Sequence, residues 1–222
     1  MSKLRFIIIG VLITALSVQC ETDSLVQDVP HNQDPNLDWG KNPPPDIVAN
    51  YYYQGKIDST LLTLQDGIGS VVNVFSERLV TPCDSADSLF EIRTQFVDTI
   101  SNEILTIKLF SCVNDSIDTL LARFDFLRTG VYSFGSSSRV FPQEGVEISW
   151  QDADGTVWKS QPGSGFDSRS SFEITNLDTI YFDTLYSEYF MEGRMKAWLY
   201  ANSVEYVPME FSDFKAKIPA YK

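Results

Sequence analysis

The chain has 222 residues, of which 43% are hydrophobic and 13% aromatic, and its 30 acidic residues outweigh 17 Lys and Arg to give a net charge of −13. This apolar content suffices for one sizeable core and excludes disorder over most of the length. The acidic balance repels nucleic acid and anionic membrane surfaces, so we expect no nucleic-acid partner.

The first twenty residues predict export. Lys3 and Arg5 precede an apolar run, Phe6–Leu16 (FIIIGVLITAL). As a helix this run is about 16 Å long, well short of a hydrocarbon core about 30 Å thick, so it indicates a secretory signal and not a spanning helix. Cys20 follows, and the segment resembles the bacterial lipoprotein signal, in which the cysteine is acylated and becomes the new N-terminus.

Two processing sites remain open in this segment. The usual lipoprotein signal has a small residue before the cysteine, where this chain has Gln19, whereas Ala15 and Ser17 satisfy the small-residue rule for ordinary cleavage after Ser17. We predict a signal peptide over residues 1–19 and lipidation at Cys20. Removal of the signal takes away two cations and no acid, so the net charge becomes −15. Attachment to a membrane would then depend on the lipid.

Residues 20–50 predict a lipid-anchored acidic and Pro-rich linker. A flexible chain of this length spans about 30 Å root-mean-square, and prolines extend it further. Glu21 and Asp23 resemble the surface-export signal of Bacteroidota lipoproteins. We therefore predict an outer-membrane location, with the cell surface and the periplasmic face both open. The segment holds six acids against Lys41 and five prolines: Glu21, Asp23, Asp28, Asp34, Asp38, Asp46, Pro30, Pro35 and Pro43–Pro45.

Residues 51–222 predict one all-β domain, a single antiparallel β-sandwich. Apolar and polar residues alternate in period two, as in a strand with one buried face, and no window sustains a helical period. Asp154-Gly155 indicates a hairpin turn, as do Ser101-Asn102, Ala201–Ser203 and Ser212-Asp213. The predicted strands are 51–57, 61–64, 71–75, 90–96, 105–109, 119–126, 146–150, 156–159, 170–175, 189–200, 204–211 and 214–218. In the last of these, Phe214, Ala216 and Ile218 share one face, and Lys215 and Lys217 the other.

The cysteines leave two interpretations. If Cys20 carries lipid, Cys83 and Cys112 remain as a pair in an oxidising compartment, where a disulfide is expected. Such a bond closes a loop of about thirty residues and contributes about 3 kcal/mol. The alternative is two buried thiols that behave as small hydrophobic side chains. A metal site is not expected, because no further Cys or His lies near the pair.

The residues offer little for catalysis. The one histidine, His31, lies in the linker, where it cannot be held against a nucleophile, so most hydrolase sites are excluded. A pair of carboxylates for glycoside hydrolysis is compatible with the composition, but no pair is singled out. Asp152-x-Asp154-Gly155 is similar to the start of a calcium loop, but a hairpin turn explains the same residues. We expect no catalytic residue, metal or cofactor.

Two aromatic residues are the candidate binding site. Along strand 189–200, Trp198 and Tyr200 share a face with Arg194 and Lys196, and the charges direct that face outward. Exposed rings beside hydrogen-bonding groups can stack on sugars or anchor a protein contact. The alternatives are a second layer that covers this face, or a bulge that reverses the register and buries both rings.

Four short motifs resemble the small β-sandwich lipoproteins of Bacteroidota, a group of largely uncharacterised families: Tyr53–Asp58 (YQGKID), Asp154–Trp158 (DGTVW), Glu192–Ala197 (EGRMKA) and Asp213–Ile218 (DFKAKI). The resemblance implies a fold and an exported, lipid-anchored location, and carries no catalytic residue. The expected function is a non-enzymatic binding or structural module at the outer membrane with an unidentified protein partner. The alternatives are a glycan-binding accessory lipoprotein and, less favoured, a glycosidase-type enzyme.

Overall fold

The computed structural model describes residues 47–79, 88–113, 127–136, 142–160, 170–181, 186–202 and 205–221. All of them lie in one compact unit, Gln33–Lys222, and the other unit, Met1–Asn32, lies outside the described residues. The predicted all-β class is confirmed, since every described residue is in strand, turn or extended chain. The described stretches accordingly contain no helix long and apolar enough to span a membrane.

Eleven strands make up the described fold. Ten of them coincide with predicted strands, and the short β6 was not predicted. The predicted strand 119–126 lies outside the described residues. The strands are β1 (Tyr52–Ile57), β2 (Thr60–Asp66), β3 (Gly69–Leu79), β4 (Ser88–Asp98), β5 (Ile104–Val113), β6 (Gly130–Tyr132), β7 (Gly145–Gln151), β8 (Val157–Lys159), β9 (Ser171–Tyr181), β10 (Tyr186–Tyr200) and β11 (Tyr206–Tyr221).

The strands fall into two well-paired groups. Hydrogen bonding runs in the order β11-β1-β2-β3-β4-β5-β7-β8-β10-β9-β6, and β10 also pairs with β11. The link between β2 and β3 consists of two parallel residue pairs, and the link between β8 and β10 of one pair, Tyr200 with Lys159. The first group is therefore β3-β4-β5-β7-β8, and the second is β2-β1-β11-β10-β9-β6.

The two groups face each other across a shared core. Thr94 Oγ1 on β4 donates a hydrogen bond to the Lys217 carbonyl on β11, at 2.9 Å, although these strands are not neighbours in the sheet. The rings of Tyr53 on β1 and Phe96 on β4 meet with centroids 6.4 Å apart. Strict alternation on β10 supplies one wall of this core, where Met191, Met195, Ala197 and Leu199 are at most 2% exposed.

The predicted turn at Ser212-Asp213 is wrong, because both residues lie within the continuous strand β11. The pairing of β11 slips by one residue against both β1 and β10 near this point, which is a bulge. Ser212 is buried there, and its hydroxyl bonds with the Tyr53 hydroxyl at 3.0 Å and donates to the Glu210 carbonyl at 2.8 Å. A polar pair that would suit a turn is thus satisfied inside the sheet.

Beyond the bulge the predicted alternation is confirmed. Phe214, Ala216 and Ile218 are buried, while Lys215 and Lys217 are half-buried on the opposite face. Phe214 stacks on Phe172 of β9 with centroids 5.5 Å apart. Gly193 lies beside this stack, and a Cβ there would meet the Glu173 carbonyl and the Phe214 ring, so the close approach of β9, β10 and β11 requires glycine.

Candidate functional site

Trp198 and Tyr200 lie on the outer face of β10, the side that their alternation with Arg194 and Lys196 predicts. Residues 192, 194, 196, 198 and 200 are half-buried on the outer face of β10, and their alternate neighbours are buried in the core. No bulge reverses the register at this end of the strand, because the slips in the pairing of β10 lie before Ala197. Ligand binding by the two rings stays a prediction.

A third ring, Tyr206 on β11, joins them. It pairs with Tyr200 across the β10–β11 hairpin and is 56% exposed. Its centroid lies 4.8 Å from that of Trp198, edge to face, and 6.0 Å from that of Tyr200. Pro208 pairs with Trp198 beside them. These four side chains, Trp198, Tyr200, Tyr206 and Pro208, form what we name the aromatic patch.

Sequence reasoning missed Tyr206, and the predicted turn would not have found it. In an antiparallel hairpin the residues that flank a turn at equal distance face each other. Counting outward from the predicted turn at Ala201–Ser203 pairs Tyr200 with Val204, whereas its partner in the sheet is Tyr206. The contact of Tyr206 with Trp198 is diagonal, which aromatic side chains can reach.

The aromatic patch continues into a line of polar side chains on the outer face of the first group of strands. Successive cross-strand pairs place Tyr200 beside Lys159, and then lead across β7, β5, β4 and β3. We name the five non-aromatic members the polar row: Lys159, Ser149, Thr106, Gln95 and Asn73. Within it Gln95 Nε2 donates to Thr106 Oγ1 at 3.3 Å.

Ion pairs occupy a further part of the outer face of β10 and β11. Lys215 Nζ lies 3.0 Å from Glu192 Oε1 and 4.3 Å from the centroid of the Phe190 ring, and Arg194 Nε lies 3.4 Å from Asp213 Oδ1. Burial, followed by the charges of Asp213 and Glu192, raises the pKa of Tyr52 on β1 to about 12. Arg194 and Lys215 are thus each balanced by a carboxylate of the protein itself.

A second charged network crosses β3, β4, β5 and β7. Glu91 is only 2% exposed; its carboxylate forms an ion pair with Arg93 and lies 4.0 Å from Lys108 Nζ. Lys108 also binds Glu147 at 3.3 Å, and Arg93 binds Glu77 at 2.9 Å. Every carboxylate of the network is held by a cation. No three His, Cys, Asp or Glu side chains of the described stretches are grouped so as to hold a metal ion.

The hairpin predicted at Asp154-Gly155 is confirmed, with Gly155 at φ +85°. Asp152 Oδ1 accepts hydrogen bonds from the backbone N–H groups of Asp154 and Thr156, at 3.1 and 2.8 Å, and Oδ2 accepts one from Trp158 Nε1 at 2.9 Å. Because its oxygens are oriented towards three N–H donors, Asp152 stabilises the turn. The hairpin therefore explains the motif that is similar to a calcium loop.

The remaining predicted site residues lie mostly beyond the described stretches. Cys112 is disulfide-bonded and packs against Leu89 and Phe110, but its partner lies outside the described residues, as do Cys20, Cys83 and His31. The pairing of Cys112 with Cys83 and the lipidation of Cys20 stay predictions. The structure brings Trp198 and Tyr200 together with Tyr206.

Comparisons of the chain with protein-family models, with curated proteins and with solved structures find no significant match in any of the three. The chemistry of the site is therefore read from its own residues. Three aromatic rings beside hydroxyl, amide and ammonium groups can stack on a ligand and hydrogen-bond its edge.

Proposed function

We propose that this protein is a non-enzymatic, exported and lipid-anchored binding module that recognises its partner through the aromatic patch. The aromatic patch is the observation that carries the proposal. Trp and Tyr dominate the centres of binding surfaces, because they bring large contact area at a small cost in side-chain entropy. Here Tyr206 remains 56% exposed although its ring contacts that of Trp198 edge to face.

A β-sandwich provides the framework in this proposal. Two groups of strands face each other over one core, with two residue pairs linking β2 to β3 and one linking β8 to β10. The hydrogen bond from Thr94 to Lys217 crosses from one group to the other. These features are typical of two packed sheets with corners where strands change sheet.

The sequence supports export and anchoring. Positive residues, an apolar run too short to span a bilayer and Cys20 suit a lipoprotein signal, and the Pro-rich residues up to position 50 suit a spacer between lipid and domain. The single histidine lies within that spacer, which favours binding over nucleophilic catalysis. The proposed location is the outer membrane, on either its outer or its periplasmic face.

Protease shaving of intact cells that express the full chain with a C-terminal tag tests the location, with Cys20→Ala alongside. We expect the wild-type chain to fractionate with membranes and the Cys20→Ala chain to be released. Loss of the tag from intact cells assigns the surface, and protection until lysis assigns the periplasmic face. If the Cys20→Ala chain fractionates with membranes as the wild type does, lipid anchoring is wrong and cleavage after Ser17 replaces it.

Site-specific photo-crosslinking in intact cells tests the binding. A photoreactive residue at position 206 is compared with one at position 131, where Val131 is 76% exposed on β6 and outside the aromatic patch. We expect an adduct from position 206 that Trp198→Ala abolishes, and none from position 131. Equal labelling from both positions, or an adduct insensitive to Trp198→Ala, would contradict a binding role for the aromatic patch.

A further inference from the structure

The polar row and the aromatic patch form one continuous line across seven strands. From Tyr206 to Asn73 the line crosses six strand spacings. At about 4.8 Å per spacing its path along the outer surface is about 29 Å long, and it turns where β8 of the first group meets β10 of the second. A ligand that uses the whole line must therefore be a chain, extended and with repeating groups.

The side-chain chemistry of the line changes along its length. At one end lie three aromatic rings, of which Tyr206 is 56% exposed and Trp198 and Tyr200 are half-buried. Across the first group of strands follow an ammonium group, two hydroxyls and two carboxamides; Thr106 is only 5% exposed and its hydroxyl accepts from Gln95. Hydroxyls and carboxamides each donate and accept hydrogen bonds. The line contains no carboxylate and, beyond the rings, no large apolar side chain.

A sugar chain fits both parts of this line. A pyranose ring has a face of C–H groups, which stacks on an aromatic ring, and a rim of hydroxyls that donate and accept hydrogen bonds like the side chains of the polar row. An apolar peptide helix would offer no polar partner to Lys159, Ser149 and Asn73, which is unfavourable once water is excluded. An extended peptide added to an edge would bind backbone groups, and these are already paired at Thr106, Ser149 and Gln95.

The negative charge of the protein favours a neutral sugar chain over an anionic one. The chain without residues 1–19 carries a net charge of −15, which repels polyanions. Lys159 is the single cation of the line, too little to offset that field over 29 Å or so of ligand. Acidic polysaccharides are therefore disfavoured, and neutral ones are not affected.

We infer that the ligand is a neutral polysaccharide, whose terminal or internal sugars stack on Trp198, Tyr200 and Tyr206 and whose chain runs across the strands along the polar row. The inference rests on the proposed binding function and names its ligand class. It assigns hydrogen-bonding roles to Asn73, Gln95 and Ser149, which no sequence motif indicates.

Affinity electrophoresis of the full, detergent-solubilised chain tests this inference. The gels contain laminarin, xyloglucan or yeast mannan as neutral probes, and alginate as an anionic one. We expect retardation by at least one neutral probe and none by alginate. Tyr206→Ala should weaken the retarding affinity about ten-fold, the loss of one good aromatic contact. Tyr206→Phe, which keeps the ring, should stay within about three-fold of the wild type.

Two further variants distinguish the loss of a ligand contact in the line from a general effect of mutation on the fold. Gln95→Leu removes the carboxamide and should weaken affinity about three-fold, whereas Val131→Ala removes an exposed side chain outside the line and should leave it unchanged. Absence of retardation by every neutral probe, or retardation by alginate, overturns the inference. Retardation that Tyr206→Ala leaves intact also overturns it.

Failure of this inference is distinguishable from failure of the binding function. If no polysaccharide binds but photo-crosslinking at position 206 yields a protein adduct that Trp198→Ala abolishes, the aromatic patch binds a protein and only the ligand class is wrong. If neither polysaccharide nor adduct is found, both the ligand class and the proposed function are wrong.

Discussion

Two pairs of aromatic rings lie on adjacent strands of this protein but on opposite faces. Trp150 and Trp158 stack across β7 and β8 with centroids 6.5 Å apart, and both pack against the main core. Trp198 and Tyr206 meet across β10 and β11 at 4.8 Å, edge to face, on the outer surface. Both pairs arise from the same sequence feature, an aromatic residue at an alternating position of a strand.

The two pairs differ in how far the surrounding residues bury their rings and bond with their polar groups. The inner pair is held in two ways. Trp158 Nε1 donates a hydrogen bond to Asp152, and both rings pack against the main core. In the outer pair more than half of Tyr206 stays exposed. This ring therefore adds little to the core and remains available to a ligand. An aromatic pair on the inward face therefore stabilises the fold, and the same pair outward suits recognition.

The largest expected effect comes from the inner pair. Trp150→Ala removes the stacking partner of Trp158 and opens a cavity at the end of the core, so we expect a loss of about 3 kcal/mol in the free energy of unfolding. Urea denaturation followed by circular dichroism measures it. A loss below about 1 kcal/mol would show that the inner pair is not structural, and the contrast with the outer pair would fail.

Trp150→Phe is the matched control for that change. The indole N–H of Trp150 is buried, and no hydrogen-bond acceptor is placed against it in the described part of the chain. Phe keeps a ring on Trp158 and removes this unsatisfied donor, so its gain offsets the lost area. We expect a stability within about 1 kcal/mol of the wild type, clearly above that of Trp150→Ala.

The support of the inner pair gives the next effect. Asp152→Asn replaces a carboxylate that accepts three N–H bonds with a group that has one acceptor oxygen, so we expect a loss of about 1 kcal/mol. Asp154→Asn changes an exposed residue of the same turn and should stay within about 0.5 kcal/mol. Equal melting temperatures for the two variants would mean that Asp152 does not anchor the indole.

How much of this contrast the sequence predicts depends on distance along the chain. The outward direction of Trp198 follows from its alternation with Arg194 and Lys196 within one strand, and the hairpin from Asp154-Gly155, where a tight turn needs a positive φ. Both are local. The all-β class follows for the same reason, because period-two patterning needs no knowledge of pairing.

Features set by pairing between distant strands were not predictable in the same way. Ser212 reads as a turn residue until Tyr53, far away in sequence, is seen to bond with its hydroxyl inside the sheet. Glu91 reads as an exposed strand position, yet it is buried between Arg93 and Lys108. The polar row exists only because four strand registers bring single residues into line, and a shift of one register would disperse it.

The outer pair provides the third and smaller stability effect. Tyr206→Ala removes an exposed ring whose main described contact is the edge of Trp198, so we expect a loss of about 0.5 kcal/mol in stability. Acrylamide quenching of tryptophan fluorescence should rise, since Trp198 loses its cover. A loss above 2 kcal/mol would place the outer pair with the inner one, as a structural feature, and would weaken its assignment to binding.

The smallest effect concerns a turn carboxylate that supports no ring. Partial burial alone would raise the pKa of Asp98, but the backbone N–H groups of Ile100 and Ser101 and the Ser101 hydroxyl outweigh it and lower the pKa. A lowered folded pKa means that this contribution is present above the unfolded value of about 3.9 and disappears as pH falls through the lower folded value.

Asp98→Asn removes that titration, so the variant should lose less stability than the wild type between pH 5 and pH 3 or so, although it is slightly less stable at pH 7. Denaturation midpoints across this range measure the difference, with Val131→Ala as the control, because it removes an exposed side chain that carries no titrating group. Parallel curves for Asp98→Asn and the wild type would contradict the role of the two backbone donors. Because Asp98 holds only its own turn, its effect should stay below that of Asp152, which holds a turn and an indole together.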